Sequence, residues 1–103
     1  YLHWVRVIQG HAAANGIPIA VANRIGREKN ITFFGGSFIA DRTGHVVTQI
    51  GGVVQKNGGA DPDPVQLKGY AGHAFDFEDN AHFRAAWGMF RDRRPELYYE
   101  MVA

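Results

Sequence analysis

Cysteine is absent from the 103 residues of the chain. Its absence excludes a disulfide scaffold, a thiolate zinc site and any thiol nucleophile supplied by these residues. An excess of charge of one sign is lacking too. The 11 Lys and Arg against 10 Asp and Glu leave a formal charge of +1, which gives no global field to draw in nucleic acid or an anionic membrane. No apolar run approaches the ~20 residues needed to span a bilayer. The amino end, with His3, Arg6 and Gln9 among its apolar residues, does not read as a signal peptide, so a cytoplasmic location is expected. The chain opens on Tyr1 rather than Met, from which we expect processing or an upstream portion. What is present, 46% apolar and 20% charged residues, is the composition of an ordinary globular protein, one small domain or a piece of one.

Residues Leu2 to Asn15 carry Val5, Ile8 and Ala12 at a three-then-four spacing, which predicts an amphipathic helix. Asn15-Gly16 and Pro18 end it, because Gly tolerates a left-handed cap and Pro cannot extend the ladder. Ile17 to Ala22 is an unbroken apolar run and predicts a strand covered on both faces. Ile31 to Phe34 leads through Gly35-Gly36 to Ser37-Phe38-Ile39-Ala40. A turn at Asp41-Arg42-Thr43-Gly44 and a returning strand of Val46, Val47 and Ile50 then predict a β-hairpin. Between Gly51 and Gly72 the glycines and Asp61-Pro62-Asp63-Pro64 break any period. A long, mobile excursion is expected there, with short strands only at Val53-Val54 and Val65-Gln66-Leu67. Ala74 to Phe77 reads as a short strand, followed by a helix capped by Asp79 or Asn80 and running to Trp87-Gly88. The charged, aromatic end from Phe90 to Tyr98 reads as a tail that packs against something. The succession of elements indicates an α/β layered arrangement.

Four blocks, in order, carry a family resemblance. They are Gln9-Gly10-His11-Ala12-Ala13-Ala14-Asn15; Val21-Ala22-Asn23-Arg24-Ile25-Gly26; Ile31 through Asp41 with Thr43-Gly44; and Phe75-Asp76-Phe77 with Arg84 through Tyr98. Together they resemble the C-terminal part of a carbon–nitrogen hydrolase of the nitrilase superfamily, on the side of the N-carbamoylputrescine amidases. Residues 51–72 depart from the family's shorter connection. The resemblance implies the C-terminal portion of a four-layer α-β-β-α sandwich that pairs with a second subunit. It also implies a parent enzyme that hydrolyses a small-molecule carbamoyl amine with a Cys nucleophile, a Glu base and a Lys. All three are expected upstream of Tyr1, so no catalytic residue is expected in this chain and no activity from it alone. No cofactor is implied.

Several individual residues admit a functional role beside a plainer one. Asn23 and Arg24 follow the apolar strand, at the carboxyl edge where α/β sheets place ligand groups, so Asn23 is a substrate-pocket candidate. The plainer account is that both satisfy loop backbone and a neighbouring carboxylate. His3 and Trp4 are further pocket-rim candidates, with packing or surface roles as the alternative. The five His, at positions 3, 11, 45, 73 and 82, form no His-x-x-x-His pair, and no metal site is expected. Arg91, Arg93 and Arg94 are subunit-contact candidates. Asp92 and Glu96 interrupt that cluster, which favours ion pairs over phosphate binding and gives no nucleic-acid partner. Asp76, Glu78 and Asp79 suit a helix N-terminus better than a calcium loop. Ser37 follows Gly35-Gly36 but lacks the closing Gly of a nucleophile elbow, since position 39 is Ile, and reads as a strand residue bonded locally. Two functions remain: part of a carbon–nitrogen hydrolase, or a non-catalytic module that pairs with a full-length subunit as a homo-oligomer.

Overall fold

A computed structural model describes residues 1–54, 63–65, 68–98 and 101 of the chain. Helix α1 spans Leu2–Asn15, as its spacing predicts. Its end is a two-bond cap: Gly16 N–H donates to Ala13 O (3.2 Å) and Ile17 N–H to Ala12 O (3.1 Å), with Gly16 at φ 59°. The inward face carries Trp4, Val5, Ile8 and the fully buried Ala12.

Strands β1 (Ile19–Val21), β4 (Phe38–Ala40) and β5 (Val46–Gln49) form an antiparallel sheet in the order β1-β4-β5. Ile19 lies opposite Ala40, and Val21 opposite Phe38. These four residues meet α1, and with Ala12 they hold the core; the buried apolar residues among those described are Ala12, Phe38 and Ala40. The other face of the sheet carries Ala20 paired with Ile39, since alternate residues of a strand point to opposite sides. Ala20 is exposed, which corrects the expectation of a strand covered on both faces. The run is apolar and forms a strand, but among the described residues α1 covers only one of its two faces.

The hairpin between β4 and β5 forms across the expected turn. Asp41 organises it: one carboxylate oxygen accepts from Thr43 N–H (2.8 Å), the Thr43 hydroxyl (2.6 Å) and His45 N–H (3.1 Å). Burial raises the pKa of this carboxyl, but the bonds from Thr43 and His45 outweigh it and hold the group below the usual carboxylate value. A carboxyl depressed in the folded state stabilises it fully above the unfolded pKa, about 3.9, and loses that contribution as pH falls through the folded value. Urea midpoints are therefore expected to drop as pH falls from about 5 to about 3, and Asp41→Asn is expected to flatten that drop. An unchanged pH slope in the variant would show that Asp41 is not the group responsible.

A second hairpin was not anticipated. Strand β2 (Ile25–Glu28) pairs with β3 (Ile31–Phe34) through a two-residue turn, with Lys29 at φ 48°. Ile31–Phe34 thus belongs to this hairpin and not to the one that follows. In β2, Gly26, Arg27 and Glu28 hide the alternation by which strands are recognised. Within the expected excursion, β6 (Gly52–Val54) and β7 (Asp63–Val65) pair antiparallel, close to the short strands read there. Residues 55–62, 66 and 67 of that stretch lie outside those described.

Helix α2 spans Phe77–Trp87, so the short strand read at Ala74 to Phe77 is replaced by a helix start. Asp76, not Asp79 or Asn80, is the cap: its Oδ1 accepts from Glu78 N–H (2.9 Å) and Asp79 N–H (3.0 Å). Two features tie α2 to the rest. Arg42 pairs with Asp79 and lays its guanidinium 4.5 Å from the Phe83 ring centre, while Met89 and Arg84 lie against Gly16 at the end of α1. A single 3-10 turn, Pro95–Leu97, follows. In the tail, Phe90 and Leu97 are each 67% exposed, and Phe90 lies under the Arg84 guanidinium at 5.0 Å. Among the described residues, no helix is long and apolar enough to cross a membrane.

Candidate functional site

Strands β1 and β4 are neighbours in the sheet, yet the β2–β3 hairpin is inserted between them in the chain. Its two feet, Asn23-Arg24 and Gly35-Gly36-Ser37, meet at the carboxyl edge of β1. They are joined by a closed set of hydrogen bonds. Asn23 N–H donates to Ser37 Oγ (2.8 Å), and the Ser37 hydroxyl donates to Asn23 O (3.3 Å). Asn23 Nδ2 donates to Gly35 O (2.8 Å), Asn23 Oδ1 accepts from Arg24 N–H (2.9 Å), and Gly35 N–H donates to Arg24 O (2.9 Å). Backbone approaches too closely here for side chains. A Cβ on Gly35 would lie 2.4 Å from Ile25 Cγ2, and one on Gly36 2.5 Å from the Tyr1 ring, with φ at +67° and +72°.

Beside this corner, on the sheet face turned away from α1, lies a cleft of about 410 Å³ bordered by Asn23, Ser37, Ala20, Ile39, Ile50 and Ala71. Its lining is mainly apolar, and among the described residues the polar side chains that border it are Asn23 and Ser37. Arg24 points elsewhere: it pairs with Glu28 at 2.7 Å and sits 4.6 Å from the Phe33 ring centre. Both Asn23 and Arg24 therefore make the contacts of the plainer account, and Asn23 also borders a cleft.

The other two pocket candidates do not join it. Trp4 stands edge-on to Phe34 (5.5 Å between ring centres) and Phe38 (5.4 Å), between α1 and the sheet. His3, one residue earlier on the helix, is exposed. The helical turn of about 100° per residue places Trp4 inward and His3 outward, and the sheet then separates Trp4 from the cleft. Ser37 is the residue that sequence reasoning undervalued. Its hydroxyl bonds to Asn23, 14 residues away, rather than locally. The neighbouring Gly-Gly signals a tight backbone but not its partner.

A second cleft, about 260 Å³, lies between the β4–β5 turn and α2, where Asp41, Arg42, Asp76 and Asp79 meet. Each of these four side chains is committed to a turn, a cap or an ion pair. Of the subunit-contact candidates, Arg91 pairs with Asp92 at 2.7 Å and Arg94 with Glu96. The hydrogen bond with Arg91 lowers the Asp92 pKa, and that with Arg94 lowers the Glu96 pKa. Arg93 is exposed.

A strand ending at an Asn-Arg corner, an antiparallel sheet with an inserted hairpin, and a cleft at the strand edge agree with the family that the four blocks resemble. The family model for carbon-nitrogen hydrolases matches residues 2–55, and the chain belongs to that family. Particular relatives narrow the comparison. The chain is 43% identical to a citrullinase of Francisella tularensis, over 97% of this chain and 32% of that protein. It is 42% identical to an N-carbamoylputrescine amidase of Oryza sativa, over 93% of this chain and 30% of that protein. A carbon-nitrogen hydrolase structure from Helicobacter pylori matches with a TM-score of 0.65 at 27% identity, over 98% of this chain and 32% of that one. The α/β class holds, and the chain spans about a third of the length of the proteins it matches.

Proposed function

We propose that the chain forms the C-terminal part of a carbon–nitrogen hydrolase whose substrate is an N-carbamoyl amine such as N-carbamoylputrescine. The reaction adds one water across the ureido group and releases the amine, ammonia and carbon dioxide. The observation that carries this reading is the 40–43% identity, over almost the whole chain, to N-carbamoylputrescine amidases and a citrullinase. Both substrate names denote an amine bearing a carbamoyl group. Acyl transfer through a thioester needs a thiolate beside a base. With no Cys in the chain, the nucleophile has to come from the two thirds of the family fold that it does not span. The chain's own share is the sheet edge with Asn23 and Ser37.

A chimera tests this: the rice N-carbamoylputrescine amidase with its matching third replaced by these residues. Ammonia release from N-carbamoylputrescine is expected to stay within about tenfold of the rice enzyme, a loss of at most about 1.4 kcal/mol in transition-state stabilisation. A folded chimera that hydrolyses neither N-carbamoylputrescine nor citrulline would refute the reading.

A second role has a separate observation behind it. Trp87, Phe90 and Leu97, each 67% exposed, lie along the same C-terminal stretch as Arg91, Arg93 and Arg94. Exposed aromatic residues beside Arg suit a protein interface, and this supports the homo-oligomer with that stretch in the subunit contact.

A further inference from the structure

We infer that Ser37 is the positioning residue of the proposed pocket: its single hydroxyl sets the seat of the β2–β3 hairpin beside the cleft, and Asn23 serves as its partner rather than as a substrate ligand. The inference rests on the function proposed above and assigns the polar groups of that site. A Ser hydroxyl has one proton to donate and lone pairs to accept, and Ser37 uses both on one residue. It accepts from Asn23 N–H at 2.8 Å and donates to Asn23 O at 3.3 Å. Asn23 is the residue where the chain leaves the sheet after β1, and Ser37 is where it re-enters before β4. The Ser37 hydroxyl thus bridges the base of a hairpin that occupies Ile25 to Phe34, beside the Asn23 Nδ2 and Gly35 N–H bonds between the same two feet.

The Asn23 side chain is already committed. Its Nδ2 is bonded to Gly35 O and its Oδ1 to Arg24 N–H, both to backbone and both within 2.9 Å. Turning that amide to a substrate would leave Gly35 O and Arg24 N–H without these partners, at a half-buried corner where an unmade bond is costly. Neither Asn23 nor Ser37 is therefore aimed at a ligand. Both hold backbone, and what they hold is the angle at which the hairpin leaves the sheet next to Ala20 and Ile39. Among the described residues no carboxylate borders this cleft, and the apolar walls they form suit the uncharged methylene stretch of a carbamoyl amine better than its ammonium end.

The first test needs no substrate. In the full chain labelled with nitrogen-15, amide hydrogen exchange is compared for wild type, Ser37→Ala and Ser37→Thr. Ser37→Ala is expected to speed exchange at Asn23 and Gly35 by about tenfold or more, leave Ala12 and Ala40 at their wild-type rates, and be rescued by Ser37→Thr, which keeps the hydroxyl. Unchanged rates at Asn23 and Gly35, a uniform rise across the chain, or no rescue would each overturn the clamp. The second test uses the rice chimera, in which Ser37→Ala is expected to raise KM for N-carbamoylputrescine several-fold more than it lowers kcat, again with rescue by Ser37→Thr. A fall in kcat at constant KM would overturn the positioning role. An inactive chimera would sink the pocket reading, while the exchange rates would still decide the clamp.

Discussion

Replacing Phe38 with alanine is expected to cost about 3–5 kcal/mol, a large share of the about 5–15 kcal/mol that a small domain holds in total. Phe38 is 2% exposed and is the one large side chain among the three buried apolar residues described. The other two, Ala12 and Ala40, are too small to move into the space it would leave. Trp4 would lose the ring it meets edge-on at 5.4 Å, and with it the contact that ties the start of α1 to the centre of the sheet. Urea titration followed by far-ultraviolet circular dichroism measures the loss. Phe38→Leu, which keeps most of the volume, should retain a cooperative transition. A Phe38→Ala midpoint close to wild type would mean that the contact between α1 and the sheet is not where the stability lies.

Gly44→Ala is the second substitution with a large expected effect, a loss of about 2–3 kcal/mol from left-handed strain and backbone collision together. Gly44 sits at φ +85°, and a Cβ there would lie 2.6 Å from the backbone oxygen of Gln9. That oxygen belongs to a helix and cannot swing aside as a flexible side chain would. The same approach carries the hydrogen bond from Gln9 Nε2 to Gly44 O at 2.9 Å, so the turn would lose its anchor on α1 as it moved away. Gly10→Ala is the matched control. Gly10 lies within α1 with nothing within 4 Å of a new Cβ, and the change should stabilise the chain by about 0.5–1 kcal/mol. Equal effects at the two glycines would refute the steric account.

The exposed apolar surface has a simple reading in these terms. The accessible area is 7860 Å², whereas a compact monomer of this mass exposes roughly 5,800 Å². The chain spans about a third of the proteins it matches, and among the described residues no helix or strand covers the second face of its sheet. With a single helix against three short strands, Ala12, Phe38 and Ala40 are the buried hydrophobic residues among those described, which is why one Phe carries so much of the expected stability.

The elements legible from sequence were those whose cause is local. Val5, Ile8 and Ala12 set the inward face of α1 by spacing alone, Gly16 ended it, and Asp41 through Gly44 closed a hairpin between adjacent strands. The family, too, could be read from four ordered blocks. Elements that depend on a partner distant in the chain were not legible. Ile25–Glu28 is a strand because Ile31–Phe34 folds back on it, since Gly26 and its charged neighbours show no strand period of their own. Asp76 took the cap because its carboxylate reaches Glu78 N–H and Asp79 N–H, and among the described residues no strand pairs with Ala74 and Phe75. Trp4 was assigned to the core side, and Ser37 to Asn23, by the packing of α1 and the return of β4 against β1. Sequence by itself determined the helix, the turn and the kinship of this chain, because caps, turn residues and periodicity act within a few residues. Only the tertiary structure decided which side chains meet at the sheet edge, because the Asn23–Ser37 contact exists only once the inserted hairpin has brought its two feet together.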